Sequence, residues 1–181
     1  MPRLTILDRA AMNAEQGKVY DAAKGSGAPV GGPYYAYIRL PKLFEAAQNT
    51  RECLAGGPLS ARERQVAHLV IARHWGARYP WFAQVRASLA AGISQAVIDA
   101  INARKTPDLP DARERMCYVA TGELLANKRL SDATYAAAEQ TLSLDHLVGL
   151  VGTIGAFTMT CLTTNAFDVM PPPENPTPLA E

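Results

Sequence analysis

The sequence predicts an all-α fold, a single-domain bundle of about eight helices. Apolar residues recur at helical spacing along almost the whole chain, and no segment shows the strict alternation of a half-buried strand. Ser60, Ser94, Ser131 and Ser143 stand directly before periodic segments, where a hydroxyl satisfies the free N–H groups of a first turn. Glycine and proline clusters separate those segments. A chain of 181 residues needs no second core. Residues 1–170 are therefore read as one helical domain, and 171–181, PPPENPTPLAE, as an irregular Pro-rich tail draped on a neighbouring chain.

The first helix is expected from about Asp8 to Lys24, with Met12, Val19 and Ala23 on one side and Gly25-Ser26-Gly27 as its stop. The following segment, VGGPYYAYIRL, is too rich in glycine, proline and aromatics for a plain linker. Pro41 suits the opening of a second helix, Lys42 to Ala55, because its missing N–H would have had no intrahelical partner there. In the third, Ser60 and Glu63 form a capping box, and the helix runs to Trp75. A break at Gly76 to Pro80 starts a fourth that ends at Gly92. Ser94 caps a short fifth, Pro107 to Pro110 make a turn, Asp111 to Ala126 form a sixth, and Ser131 opens a seventh. The last, about Leu144 to Asn165, is apolar on nearly every side, which predicts burial in the domain centre or against another subunit.

Composition excludes several function classes. A formal charge of +1, with lysines and arginines scattered, leaves no basic footprint for nucleic acid. The opening MPRLTILDRAAMN lacks the apolar core and cleavage site of a secretory signal, and no apolar run is long enough to span a bilayer, so no membrane partner and a cytoplasmic location are expected. Cys53, Cys117 and Cys161 are odd in number and far apart, which argues against a disulfide framework or a zinc knuckle and reads them as small buried hydrophobes. His68 and His74 are six residues apart and do not share a helix face, so no helix-borne metal pair is expected. Gly149, Gly152 and Gly155 lie inside an apolar helix and suit close helix packing better than phosphate binding.

The most specific stretch is Leu59 to Ile93, LSARERQVAHLVIARHWGARYPWFAQVRASLAAGI. It resembles the catalytic helix pair of the carboxymuconolactone decarboxylase and alkylhydroperoxidase superfamily. Redox members carry Cys-x-x-Cys-x-x-x-His on the second helix and a Glu on the first; the matching positions here hold Gln65, Ala77, Pro80 and Gln84. A branch without the thiol pair is more similar, since Gly76, Tyr79 and Trp81 keep its spacing. Gly32-Pro33-Tyr34-Tyr35, Leu40-Pro41-Lys42-Leu43, Met159 and Asn165-Ala166-Phe167 extend the likeness over roughly residues 15 to 170. The resemblance implies a helical domain, a pocket at this pair, no peroxidase chemistry, no cofactor, and, together with the apolar last helix, a homotrimer or homohexamer.

Helix phase selects the site residues. At about 100° per residue, Gln65, Leu69, Ala72 and Gly76 share one side of the third helix and His68 lies within about 60° of Gln65, while His74 points away. His68 is the candidate proton donor, because an imidazole exchanges a proton near neutrality; the competing reading is a core histidine bonded to a carbonyl. Gln65 and Gln84 keep hydrogen-bonding capacity without titrating, and read either as substrate holders or as helix residues paired with the backbone. Tyr79, at the helix break, is a second candidate donor, and Trp81 offers either a substrate-facing aromatic or a packing one. Tyr35 and Arg39 belong to the loop that the resemblance sets near the pocket, where Arg39 would grip a carboxylate with two N–H groups or else lie on the surface; Arg73 and Arg86 are alternatives.

These residues point to a cofactor-independent lyase, decarboxylase or isomerase acting by general acid–base catalysis on a small carboxylated lactone or a related intermediate of aromatic catabolism. The alternative is a catalytically silent protein of the same fold that binds a small molecule or serves in an assembly. A His68 ring open to a cavity favours chemistry, and one sealed in the core favours silence.

Overall fold

A computed structural model describes residues 3–181. Among these residues the secondary structure is entirely helical. After a single 3-10 turn at Arg9–Ala11 come α1 (Ala14–Gly25), α2 (Tyr34–Tyr37), α3 (Pro41–Ala55), α4 (Ala61–His74), α5 (Arg78–Ala90), α6 (Gln95–Asn102), α7 (Ala112–Asn127), α8 (Asp132–Leu142) and α9 (Leu144–Ala166).

Two elements differ from the sequence expectation. The first helix starts at Ala14 rather than Asp8, because Asn13 and Gln16 form a reciprocal capping box, with the Asn13 side chain accepting from the Gln16 N–H at 2.9 Å and the Gln16 side chain accepting from the Asn13 N–H at 3.0 Å. The aromatic loop contains one helical turn, α2, which buries Tyr34 and Tyr37. The Ser60 and Glu63 box at the start of α4 is formed as expected.

Helix α4 is the centre of the larger core. Val66, Ala67, Leu69, Ile71 and Ala72 are wholly buried, packed with Trp81 and Val85 of α5, Cys117 and Ala120 of α7, and Leu150, Ile154 and Phe157 of α9. Two ion pairs fasten its start to α7: Arg113 to Glu63 at 2.5 Å and Arg62 to Glu114 at 2.5 Å. Burial works to raise the Glu63 carboxyl, but hydrogen bonds from Arg113 and the Ser60 backbone outweigh it and hold the group below the usual carboxylate range. A second, smaller core joins Val19 and Ala23 of α1, Tyr34, Tyr37 and Ile38, and Phe44 and Ala47 of α3.

The last helix is not buried all round. Leu147, Leu150, Ile154, Phe157 and Cys161 face the core, whereas Leu144, Val148, Val151, Met159 and Leu162 are exposed. Composition reports how apolar a helix is, and tertiary packing decides how many of its sides are covered within one chain.

The tail is irregular and packs on its own chain. The Trp81 indole N–H donates to the Thr177 carbonyl at 3.0 Å, the Asn102 side chain donates to the Pro178 carbonyl at 2.9 Å and accepts from the Ala180 N–H at 2.8 Å, and Leu179 packs against the main core. These bonds satisfy a buried indole and the tail's own backbone, groups that would be costly to leave unpaired.

Candidate functional site

Where the two cores meet, a cavity of about 450 Å³ is left between α3, α4, α5, α9 and the segment before α2. Its wall combines apolar side chains, among them Leu54, Phe157 and Met159, with Arg51, Arg64, Gln65, His68, Tyr79, Gln84, Thr153 and Thr160. No carboxylate and no thiol lines it among the described residues.

Helix α4 supplies Arg64, Gln65 and His68 from one side, since residues three and four apart are surface neighbours on a helix. The cavity face is therefore confined to the first half of α4. Leu69 and Ala72, expected on the same side, are sealed in the core, and His74 is exposed beside Trp75.

His68 borders the cavity with its ring stacked on Phe157, the centroids 4.2 Å apart and the planes 33° from parallel. Its Nδ1 is buried and has no hydrogen-bond partner among the described residues. Buried polar nitrogens are rarely left so. Burial is the main cause that lowers the imidazole pKa to about 4, the neighbouring Arg64 lowers it further, and Gln84 beside the ring works in the opposite sense. His68 is thus neutral at pH 7, the protonation state in which an imidazole can serve as a base.

Gln65 accepts a hydrogen bond from the buried Ser88 hydroxyl at 3.2 Å, which leaves its amide NH2 as the group it offers to the cavity. Tyr79 stands at the start of α5, fixed by the backbone across its ring. A Cβ on Gly32, at φ +65°, would lie 2.4 Å from Tyr79 Cε1, and one on Gly31 would lie 3.3 Å from the hydroxyls of both Tyr79 and Tyr35. Burial, and then the nearby Tyr35, raise the Tyr79 pKa, so its phenol stays protonated and able to donate.

Four of the expected site residues, His68, Tyr79, Gln65 and Gln84, line one cavity; three do not. Trp81 is fully buried in the main core with its N–H spent on Thr177. Arg39 donates to the Thr5 carbonyl at 2.6 Å on the surface. Tyr35 lies behind Gly31, in a smaller recess lined also by Tyr20 and Phe44. Arg73 and Arg86 do not line the cavity either: Arg73 donates to the Asn102 carbonyl and Arg86 lies over the Phe82 ring.

The arginines that do reach the cavity, Arg51 and Arg64, were missed. Arg64 was legible, being four residues before His68 on one helix face; Arg51 was not, because it depends on which part of α3 crosses α4. Arg51 also stands beside the Tyr34 hydroxyl: burial raises that phenol's pKa and Arg51 works to lower it.

The thiols lie elsewhere. Burial raises Cys117 to about 12 and drives Cys161 higher still, and Cys53 is exposed on α3.

No family model matches this chain, and no curated protein sequence matches it. Two solved structures share its architecture. The alkylhydroperoxidase AhpD core of a peroxidase-related protein from Ralstonia eutropha JMP134 superposes with a TM-score of 0.76 at 16% identity, covering 96% of this chain and 93% of that one. A peroxidase-related protein from Silicibacter sp. TM1040 gives 0.76 at 20% identity with the same coverage, 96% and 93%. Identities this low speak for backbone architecture alone, and on that ground the chain has the helical fold of the carboxymuconolactone decarboxylase and alkylhydroperoxidase type.

Proposed function

We propose that the protein is a thiol-independent acid–base enzyme, an isomerase or lyase acting on a small carboxylated substrate such as a lactone acid from aromatic catabolism. The observation that supports this best is the make-up of the cavity: two guanidinium groups and a neutral imidazole, with neither carboxylate nor thiol. In this reading Arg51 and Arg64 hold the substrate carboxylate through charge-assisted hydrogen bonds. His68 removes a proton from the carbon next to a carbonyl, the electron pair moves onto the carbonyl oxygen, and Gln65 and Tyr79 donate hydrogen bonds to the oxyanion. The electron pair then returns to carbon as His68 delivers the proton at a second position; in the lyase form no proton is taken first, and the C–CO2 bond breaks instead, its electron pair passing to the carbonyl oxygen as CO2 leaves and returning to carbon with a proton from Tyr79 or water. The neutral state of His68 favours the isomerase form, since a decarboxylation needs a proton donor more than a base.

The solved neighbours are named peroxidase-related, and a thiol peroxidase would need a thiolate at the cavity. Cys117 and Cys161 are buried, held protonated and absent from the cavity wall, so that reading gains no support from this chain. A silent binder would hold the anion and stop there. Deuterium exchange into a panel of carboxylated lactones and unsaturated acids, followed by NMR in D2O, separates the two. An enzyme exchanges solvent deuterium into its substrate, loses this in His68→Asn while still binding, and loses binding in Arg51→Ala. Binding without exchange in the wild-type protein would favour the silent reading.

A further inference from the structure

The cavity is larger, and over most of its length more apolar, than a compact ring acid requires. At about 450 Å³ it falls in the range that holds a drug-sized ligand. Among the described residues the charged side chains in its wall are Arg51 and Arg64. Several of the remaining polar groups are already bonded within the protein. Thr153 and Thr160 donate to the Gly149 and Ala156 carbonyls of their own helix at 2.8 and 3.4 Å, the Tyr37 hydroxyl shares a hydrogen bond with Thr163 at 3.2 Å, and Gln48 donates to the Pro29 carbonyl at 2.6 Å. A hydroxyl or carbonyl spent in this way offers a ligand little.

The cavity also has a direction. Ser88 bonds Gln65, so the end of α5 lies against the start of α4 and the two helices run antiparallel. Tyr79 stands nine residues before Ser88, about 13 Å along α5, and His68 three residues after Gln65, about 4 to 5 Å along α4. About 9 Å of cavity therefore lies beyond His68, on the side away from Arg64. Ala83 and Pro80 of α5 flank this stretch, and the Pro29 to Pro33 segment closes it, with Gly32 against the Tyr79 ring. Ala47 borders the same end: Leu54 of α3 meets Gly152 and Tyr37 meets Thr163, so α3 runs antiparallel to α9 and Ala47 lies two turns from Leu54 toward Thr163. A ring seated at His68 with its carboxylate at Arg64 would leave most of this stretch unfilled.

We propose that the ligand is a monocarboxylic acid with a hydrocarbon tail, its carboxylate at Arg51 and Arg64 and its tail running past His68 to the proline-lined end. The inference rests on the carboxylate clamp of the proposed function, and adds the part of the substrate that the clamp does not touch. A second carboxylate at the far end would lose its water and meet no cation there. The length is set by the helices. An extended chain advances about 1.25 Å per carbon, from a C–C bond of about 1.5 Å, so the 13 Å between the Gln65 and Tyr79 levels holds about ten carbons.

Isothermal titration calorimetry with straight-chain acids from butanoate to dodecanoate, each below its micellar concentration, tests this without any need for turnover. Affinity is expected to rise two- to fourfold per methylene, what burial of one CH2 supplies, and to stop rising near decanoate. Decanedioate should bind at least tenfold more weakly than decanoate. Ala83→Leu puts bulk in the path of the tail and should weaken decanoate at least tenfold while leaving butanoate within about twofold. Ala47→Leu, which fills the far end instead, should move the limit to shorter acids. Affinity that does not depend on chain length, or a dicarboxylate that binds as well as decanoate, would overturn the tail while leaving the clamp in place. Methyl decanoate binding as tightly as decanoate would refute the clamp, and the proposed function with it. Chain dependence unchanged in both variants, each folded by circular dichroism, would put the tail outside the cavity and overturn the proposal.

Discussion

Arg64 and His68 stand one turn apart on the same side of α4, and the guanidinium adds to burial in keeping the imidazole uncharged. One residue thereby has two effects. In the proposed reading it offers a cation to the substrate carboxylate, and it helps to keep the neighbouring imidazole free of a proton.

The first consequence is a pH profile. A neutral His68 is the active form of a base, so kcat/KM should be flat near neutrality and fall as pH drops through about 4, the value to which His68 is lowered. Replacing Arg64 with Gln removes a repelling charge and should move this limb to higher pH. His68→Asn should abolish turnover by 10²- to 10⁴-fold, the usual contribution of a general base. A limb that Arg64→Gln leaves unmoved would separate the two residues.

The same shift makes stability depend on pH. The folded-state pKa lies below the unfolded value of about 6.5, so the unfolded chain takes up the proton first as pH falls. The contribution of neutral His68 is complete above pH 6.5 and is lost progressively down to about 4, amounting to about 3 kcal/mol at 1.36 kcal/mol per unit. Urea midpoints measured across this range should decline in the wild-type protein, and His68→Asn should show a flatter profile.

Much of the fold was legible because its signals are local. The Ser60 and Glu63 box and the Gly76 break need only a few consecutive residues, and the structure has both. The Asn13 and Gln16 box is as local, yet apolar residues upstream masked it. The cavity was half legible: helix phase brought Gln65 and His68 together, but Arg51 enters from a separate helix and only packing sets it there. The fate of Trp81 depended on the tail, whose path over the chain leaves no mark in a Pro-rich sequence.

The loop over Tyr79 gives a steric prediction. Gly32→Ala combines a φ of +65° with a Cβ 2.4 Å from the Tyr79 ring, so backbone strain of about 1–2 kcal/mol adds to overpacking of about 1–3. Chemical denaturation should show a loss within that sum, with ligand binding weakened because the Tyr79 ring must shift. Gly25→Ala, where a Cβ meets nothing within 4 Å, is the matching control and should be neutral or slightly stabilising.

The thiols supply the last prediction, which bears on the fold shared with peroxidase-related structures. Reducing a hydroperoxide requires a thiolate to attack the peroxide oxygen and a second group to resolve the sulfenic acid. At the positions that the sequence resemblance matches to those thiols stand Ala77 and Pro80, both buried. With Cys117 raised to about 12, only about one molecule in 10⁵ carries a thiolate there at pH 7, and Cys161 is still more firmly protonated. Cys53 is exposed on α3, on the surface rather than in the cavity wall. Alkyl hydroperoxide added with a dithiol reductant should therefore disappear no faster than with the reductant alone. Alkylation of Cys53 should leave the acid–base activity unchanged. Turnover of hydroperoxide that alkylation or Cys117→Ala abolishes would show that a thiol reaches the peroxide after all, and the cavity between Arg64 and Tyr79 would then no longer be the place to look for the chemistry.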